Sequence, residues 1–159
     1  MKFEHLVQIN DPLDPLIDPL TRDQLWRGLL RYVETPVAFV QSLDRGTVVS
    51  RNGNTLKREL QFGRHIVQDE VVLQPAQSIH ITTRATAEIP AGTLSVHVEE
   101  PSRELLFVRF IYETFPQGHA VTPPEYQAVM KNAYKAASID VISVIRQMAE
   151  AGSLDAPVH

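Results

Sequence analysis

The last long segment of the chain, from Thr122 to Ala151, constrains the fold more than any other stretch. Thr122 and Glu125 have the spacing of a capping box, Pro123 suits the first turn of a helix, and Gly152 is a typical helix stop. The segment therefore predicts one helix of roughly thirty residues, about 45 Å long at 1.5 Å per residue.

One face of this predicted helix is apolar. The stripe, at steps of three and four residues, comprises Tyr126, Met130, Ala133, Ala137, Val141, Val144 and Met148. Lys131, Lys135 and Arg146 lie across from it. Ile139 and Ile142 fall toward the outer side, which is a hint of a homodimer or partner surface. A helix of this kind needs a partner surface for its stripe, and the preceding residues supply one in strands.

Length, charge and composition narrow the class of protein. A chain of 159 residues is expected to form one domain, residues 1–152, with a flexible tail at 153–159. A net charge of −4 without a basic cluster argues against a nucleic-acid partner. The absence of cysteine excludes thiol nucleophiles and disulfides. No signal peptide and no membrane span is recognisable in the sequence, so a cytoplasmic protein is expected.

The first forty residues predict a strand and two short helices. Residues 2–10 alternate between polar and apolar side chains, as a half-buried strand does. Three D-P-L units follow as a connector without regular structure. Thr21 and Gln24 form a second capping box at the start of a short helix, and a second short helix begins at Pro36.

Between Arg45 and Phe115 the periodicity is that of strands, with turn signals about every ten to fifteen residues. Asn52-Gly53 is the clearest of these and predicts a type I′ hairpin. The pattern predicts six consecutive antiparallel strands, which with the first strand make seven.

The order of elements resembles the START-like, or Bet v 1-like (SRPBCC), helix-grip superfamily. More narrowly, L-T-R-D-Q-L-W-R-G-L (20–29), N-G-N-T-L-K-R-E-L-Q-F-G (52–63) and L-L-F-V-R-F-I-Y (105–112) resemble its AtaL-like branch. The resemblance implies an α+β helix-grip fold, with a curved seven-stranded antiparallel sheet and the long C-terminal helix packed across it. It also implies a cavity between sheet and helix that binds lipids, sterols or polyketides, and it brings no particular catalytic residue.

Common catalytic and metal-binding motifs are missing from the sequence. It contains no G-x-S-x-G, no P-loop, no G-x-G-x-x-G and no H-E-x-x-H. His80 and His97 can lie on adjacent strands, but both share a parity with polar residues and are expected on the outer face of the sheet. Neither a metal site nor a cofactor is therefore predicted.

Three polar residues fall on apolar parities, where an unpaired side chain is unfavourable. Arg58 shares a strand face with Leu56 and Leu60, His5 lies among apolar neighbours, and Asp140 lies close to the helix stripe. If they point inward, Arg58 donates hydrogen bonds to a ligand, Asp140 accepts or pairs with Arg58, and His5 moves a proton. The alternative is that Arg58 and Asp140 form a structural ion pair and His5 is a satisfied core residue.

Aromatic and soft side chains are candidates for the wall of the cavity. They are Trp26, Tyr112, Tyr126, Tyr134 and Met130. Core packing is the alternative use of each. Arg109 lies on a strand that is apolar on both parities, and the denser inward set would leave it outside.

The sequence supports three functions. The first is binding of an apolar or aromatic small molecule in the sheet–helix cavity. The second is a cyclase or aromatase acting on a polyketide-like substrate, which requires at least two of His5, Arg58 and Asp140 to converge. The third is a protein-interaction domain with a collapsed cavity and an exposed apolar patch.

Overall fold

A computed structural model of the protein describes residues 1–115 and 123–155. The elements in chain order are β1 (Lys2–Asn10), α1 (Arg22–Glu34), a single 3-10 turn (Pro36–Ala38), β2 (Arg45–Asn52), β3 (Thr55–Phe62), β4 (His65–Gln74), β5 (Ser78–Thr83), β6 (Ala91–Ser102), β7 (Leu105–Phe115) and α2 (Pro124–Glu150). The fold is α+β, as predicted. The second of the two short helices is only this 3-10 turn.

The seven strands form one antiparallel sheet. Its order is β1-β7-β6-β5-β4-β3-β2, so that β2 to β7 are a meander and β1 closes onto β7. Alternate residues of every strand face the helices, and we call this side the inner face. Its side chains meet those of α1 and α2 in one continuous apolar core.

The hairpin between β2 and β3 is present, but its turn type differs from the prediction. Asn52 pairs with Thr55, so Gly53 and Asn54 are the two central residues. Gly53 has φ +61°, and Asn54 is not among the residues with positive φ. A positive φ at the first central position alone is the signature of type II′ rather than type I′.

Helix α1 begins as its sequence predicts. The Thr21 side chain accepts a hydrogen bond from the Gln24 N–H, and the Gln24 side chain accepts one from the Thr21 N–H, both at 2.9 Å. At the other end of the protein, the capping box predicted at Thr122 lies outside the described residues. Helix α2 is preceded by Pro123, which makes no side-chain cap.

The end of α2 is better defined than the sequence indicates. Gly152 has φ +76°, its N–H donates to Ala149 O, and the Ser153 N–H donates to Met148 O, which together make a Schellman motif. Leu154 then turns back into the core and is 1% exposed. The flexible tail predicted from residue 153 is thus wrong for Ser153 to Asp155, and residues 156–159 lie outside the described part.

The buried face of α2 is rotated by roughly a quarter turn from the predicted stripe, at 100° per residue. Its buried residues are Ser138, Val141, Ile142 and Ile145. Ile142, predicted on the outer side, is 4% exposed, whereas Ile139 is 47% exposed as predicted. The suggested partner surface therefore loses one of its two isoleucines.

Arg109 and the two strand histidines lie on the outer face of the sheet. Arg109 pairs with His97 across the strands and donates hydrogen bonds of 2.6 and 3.2 Å to Glu99. His80 Nδ1 lies 2.8 Å from Ser95 Oγ. Both histidines lie on the face that their parity predicts.

Candidate functional site

The first half of α2 leaves a cleft between itself and the sheet. The cleft has a volume of about 350 Å³. It is lined by Thr83, Ile89, Pro90, Gly92, Thr93, Leu94, Tyr112, Glu113, Thr114, Tyr126, Met130 and Tyr134. We call it the tyrosine cleft. Four residues predicted to line a cavity meet in it: Tyr112, Tyr126, Met130 and Tyr134.

Part of the apolar surface of α2 that faces the tyrosine cleft is not covered by other side chains. The second half of α2 packs into the core through Val141 and Ile145, which are buried. In the first half Tyr126 is 56% exposed and Met130 is half-buried, although both belong to the predicted apolar stripe. Apolar helix surface therefore stands over a cleft instead of over packed side chains.

A cluster of aromatic rings forms the floor of this cleft. Tyr112 on β7 stacks on Tyr134 of α2, with ring centroids 4.4 Å apart and planes at 14°. Phe3 of β1 contacts Tyr134 from another side at 5.7 Å, and Phe110 stacks on Tyr112 at 6.4 Å. These contacts fix the height of α2 above β7.

Polar groups of the floor are partly satisfied. Tyr112 Oη lies 2.8 Å from Ser138 Oγ, and Ser138 Oγ donates to Tyr134 O at 2.9 Å. Thr114 Oγ1 is buried without a hydrogen-bond partner among the described residues. Burial raises the pKa of Tyr112 and of Tyr134, so both phenols are neutral at physiological pH.

Asp140 lies in a different place. It lines a second open cleft, of about 420 Å³, between α2 and residues 39–42, together with Tyr32, Ala133 and Ala137. We call this the alanine cleft. Its walls are Ala-rich, and Asp140 is exposed there.

Arg58 is buried, but it does not meet Asp140. Its Nε and Nη2 donate to the two carboxylate oxygens of Asp69 at 2.9 and 2.6 Å, and its Nη1 donates to Val33 O at 2.9 Å. The side chains of Arg58 and Asp69 are 5% and 2% exposed. The predicted pairing of Arg58 with Asp140 is wrong, and a structural ion pair with a different partner replaces it.

His5 occupies the inner face of β1 opposite Phe110, below α2. Its Nδ1 is buried without a hydrogen-bond partner among the described residues, so it is not the satisfied core histidine of the alternative interpretation. Burial, with a smaller contribution from the charge of Lys135, lowers the pKa of His5. The residue is therefore a neutral imidazole near pH 7.

Trp26 lies in the core and is 8% exposed. It lines neither the tyrosine cleft nor the alanine cleft. His5, Arg58 and Asp140 occupy three separate places, so the convergence that a cyclase built on them requires is not found.

Two partners of the candidate residues were missed by the sequence argument, Asp69 beside Arg58 and Ser138 beside Tyr112. Asp69 lies on the inner parity of β4 between Val67 and Val71, the same signal that drew attention to Arg58. Ser138 gives no such signal, because a serine within a helix is ordinary. One of its hydrogen-bond partners is the Tyr112 hydroxyl, which is distant in sequence, and the other is a backbone carbonyl of its own helix.

Two other depressions flank the D-P-L connector. Their volumes are about 460 and 470 Å³, and Ile17, Pro19 and Leu20 line both. They are larger than the tyrosine cleft, but they lie at the connector and include none of the residues that line the tyrosine cleft. Among the described residues, no group of three or more His, Asp or Glu side chains is placed to hold a metal ion. No helix within residues 1–115 or 123–155 is long and apolar enough to span a membrane.

A curved antiparallel sheet gripping a long C-terminal helix, with a cleft between them, defines the helix-grip class. Within it, residues 7–152 match the model of the family described as acetylaranotin biosynthesis cluster protein L, AtaL. The chain belongs to this family. No curated protein matches the sequence significantly.

Solved structures similar to this chain have the same fold at low sequence identity. The di-domain aromatase/cyclase StfQ of the steffimycin biosynthetic pathway aligns with a TM-score of 0.71 at 13% identity, over 96% of this chain and 52% of that one. The chain thus spans about half the length of that protein. Ara h 8.0201 aligns at 0.67 and 12% identity, over 92% and 98%. The ZhuI aromatase/cyclase from Streptomyces sp. R1128 aligns at 0.63 and 16% identity, over 94% and 93%.

Proposed function

We propose that the protein binds an apolar or aromatic small molecule, lipid-like or polyketide-like, in the tyrosine cleft. The observation that carries the proposal is the uncovered first half of the α2 stripe. Tyr126 and Met130 are apolar residues at core spacing, and they face a cleft of about 350 Å³. That volume falls within the range of about 300–1,000 Å³ typical of small-molecule sites.

The chemistry of the cleft supports the same class of ligand. Tyr112 and Tyr134 offer stacked aromatic surface, and Met130 offers a polarisable side chain that adapts to different shapes. Burial of an apolar ligand against these side chains removes apolar surface of both the ligand and the protein from water. A ligand of this class is supported by the family, described as acetylaranotin biosynthesis cluster protein L, and by the aromatase/cyclases StfQ and ZhuI, which share the fold.

Binding of a neutral apolar dye, N-phenyl-1-naphthylamine, tests the proposal through its fluorescence. The wild-type protein is expected to bind the dye, and Met130→Trp is expected to weaken binding at least about tenfold by filling the cleft. Ala137→Trp is the matched control, because it places the same side chain on the same helix but in the alanine cleft. Absence of binding, or loss in Ala137→Trp alone, would contradict the proposal.

A cyclase or aromatase acting on a polyketide-like substrate is the second candidate. Two of the similar structures are named as aromatase/cyclases, which favours it. Since His5, Arg58 and Asp140 lie apart, such an enzyme would rely on other groups, with the cleft folding the substrate. Aromatisation removes water from the substrate, so mass spectrometry of a poly-β-ketone incubated with the protein separates an enzyme from a carrier. Recovery of a substrate that is unchanged in both mass and chromatographic retention supports binding alone, because ring closure without loss of water changes the retention but not the mass.

A further inference from the structure

The hydroxyl of Ser138 determines the direction of the hydrogen bonds at the floor of the tyrosine cleft. Ser138 is fully buried, and its Oγ donates to Tyr134 O at 2.9 Å. A serine hydroxyl carries one hydrogen, and that hydrogen is used on the Tyr134 carbonyl. With that hydrogen on the carbonyl, the 2.8 Å contact between Ser138 Oγ and Tyr112 Oη is donated by the phenol.

Tyr112 is left with acceptor capacity only. Its one hydrogen points at Ser138, and its oxygen makes no other hydrogen bond with the described residues. Stacking on Tyr134 holds the ring, so the phenol cannot turn away without losing that contact. The residue lines the tyrosine cleft, where its remaining lone pair is available to a ligand that donates a hydrogen.

A second hydroxyl stands close by on the same strand. Thr114 is two residues from Tyr112, so both side chains lie on the inner face, about 7 Å apart at the strand rise. Thr114 Oγ1 is buried and has no partner among the described residues, although it lines the cleft. A buried hydroxyl without a partner gains most from a ligand that supplies one.

The charge of the cleft disfavours anionic ligands. None of the described residues that line it is lysine or arginine, and the charged side chain among them is the carboxylate of Glu113. A ligand carboxylate brought into this cleft would lose water without meeting a cation. The same cleft accepts an uncharged hydroxyl at Tyr112 and at Thr114.

We propose that the tyrosine cleft selects an uncharged, hydroxylated aromatic ligand, a phenol or enol that donates its hydrogen to Tyr112, and that Ser138 is the positioning residue that makes Tyr112 an acceptor. The proposal rests on the proposed function and narrows its ligand class. A ligand that offers only acceptors, such as an ether or a carboxylate, meets a lone pair at Tyr112 and binds less tightly.

Three probes that share one ring system test the donor requirement. They are 2-naphthol, 2-methoxynaphthalene and 2-naphthoate, each competing with N-phenyl-1-naphthylamine near neutral pH, where naphthol is neutral and naphthoate is ionised. The protein is expected to bind 2-naphthol about tenfold more tightly than either of the other two. Equal or tighter binding of the ether or the carboxylate overturns the proposal, as does failure of all three probes to displace a dye that does bind.

Two variants separate the roles of the hydroxyls. Tyr112→Phe keeps the stacked ring and removes the acceptor, so the preference for naphthol over the ether is expected to fall to about twofold or less. Ser138→Ala removes the acceptor of the Tyr112 hydrogen and frees that hydrogen for the ligand, so binding of the ether is expected to improve. An unchanged preference in Tyr112→Phe overturns the inference, even if Ser138→Ala does not fold.

Failure of this inference can be told apart from failure of the proposed function. If the dye binds and Met130→Trp abolishes binding, but the three probes compete equally, the ligand site stands and the donor rule falls. If the dye does not bind at all, the proposed function itself is contradicted.

Discussion

Arg58 and Asp69 face each other across β3 and β4 on the inner face of the sheet, and the guanidinium donates to both carboxylate oxygens, at 2.9 and 2.6 Å. The third hydrogen bond of Arg58 goes to Val33 O, in the last turn of α1, where a helical carbonyl has no partner of its own. The pair therefore joins two strands and the end of a helix. Because all three bonds are internal to the protein, its first role is structural.

Breaking this pair is expected to destabilise the protein strongly. Arg58→Met leaves the Asp69 carboxylate buried without a counter-charge, which is expected to lower the free energy of unfolding by about 3–5 kcal/mol in urea. Arg51→Met is the matched control, because the pair of Arg51 with Glu34 is exposed and is worth at most about 1 kcal/mol.

The double variant Arg58→Met/Asp69→Leu separates structure from ligand binding. It is expected to recover most of the lost stability, since an apolar pair replaces a buried ionic one. It is also expected to keep the dye affinity of the wild type. A double variant that is stable but binds no dye would restore Arg58 as the ligand anchor suggested by its parity.

Gly28 marks a close approach of α1 and α2. A Cβ at this position would lie 2.6 and 2.8 Å from the two γ-carbons of Ile145, a fully buried side chain. Alanine normally stabilises a helix interior by about 1 kcal/mol relative to glycine. Here Gly28→Ala is expected to destabilise the protein by about 1–3 kcal/mol, because the clash outweighs helix propensity.

The partner substitution tests this interpretation of Gly28. Added to Gly28→Ala, Ile145→Ala removes the clashing atoms, so the two changes together should destabilise by less than the sum of their separate effects in thermal or urea unfolding. Additive effects would mean that the helices do not touch at this point.

His5 predicts a dependence of stability on pH. Its pKa lies below the ordinary value of 6.5, mainly because of burial, so the unfolded chain binds a proton more readily than the folded one. The contribution of His5 to stability is full above 6.5 and is lost as the pH falls through that value toward the folded pKa. His5→Leu is expected to reduce the decline in unfolding free energy between about pH 7.5 and 5.5.

At neutral pH the same substitution should do little harm. His5 Nδ1 has no partner among the described residues, and replacing an unsatisfied polar group by an apolar one of similar size is close to neutral or stabilising. A large loss of stability near neutral pH would show that the imidazole makes a contact that the structure lacks.

Glu99, on the outer face, is the opposite case to His5, because the folded state favours its charged form. Its hydrogen bond with Arg109 holds the pKa of Glu99 below the ordinary value of 4.5. Its stabilising effect is therefore present above that value and is lost as the pH falls through the folded pKa. Glu99→Gln should lower stability near neutral pH by at most about 1 kcal/mol, since both groups are partly exposed.

This difference should vanish in acid. Unfolding of wild type and Glu99→Gln in urea, followed from neutral pH to about pH 3, should converge as Glu99 is protonated in both states. A difference that persists undiminished at the acid end would assign it to packing instead of charge.

The strands were the most predictable part of the fold. Alternation in residues 2–10 and the series of turn signals that includes Gly53 and Gly63 give the number of strands, because side-chain period and turn chemistry are local properties. The pairing of β1 with β7 is a long-range contact that no local pattern contains. The type of turn at Gly53 was not predictable from the dipeptide, because the register of Asn52 with Thr55 determines which residues are central.

The buried face of α2 was predicted a quarter turn away from its position. Hydrophobic residues alone placed the stripe on Ala133 and Ala137, whereas the core contact runs through Ser138 and Ile145. Ser138 is buried because Tyr112, far away in sequence, supplies its hydrogen-bond partner. No local count of apolar residues contains that information.

The partner of Arg58 could have been predicted from the sequence. Gly63 and Arg64 form the two-residue turn between β3 and β4, so Phe62 pairs with His65. Counting four residues back from Phe62 and four forward from His65 places Arg58 opposite Asp69. The sequence argument looked for a partner on the helix instead. A charged residue on an inner parity should first be paired with its cross-strand neighbour.

The most direct test of the central claim uses the methionines as reporters. The chain has three, Met1, Met130 and Met148, and Met130 alone lines the tyrosine cleft. In protein labelled with ¹³C at the methionine methyl groups, titration with 2-naphthol is expected to shift the Met130 signal in a saturable manner and to leave Met1 and Met148 nearly unchanged. Saturable binding that leaves the Met130 methyl signal in place would contradict a ligand site between α2 and the sheet.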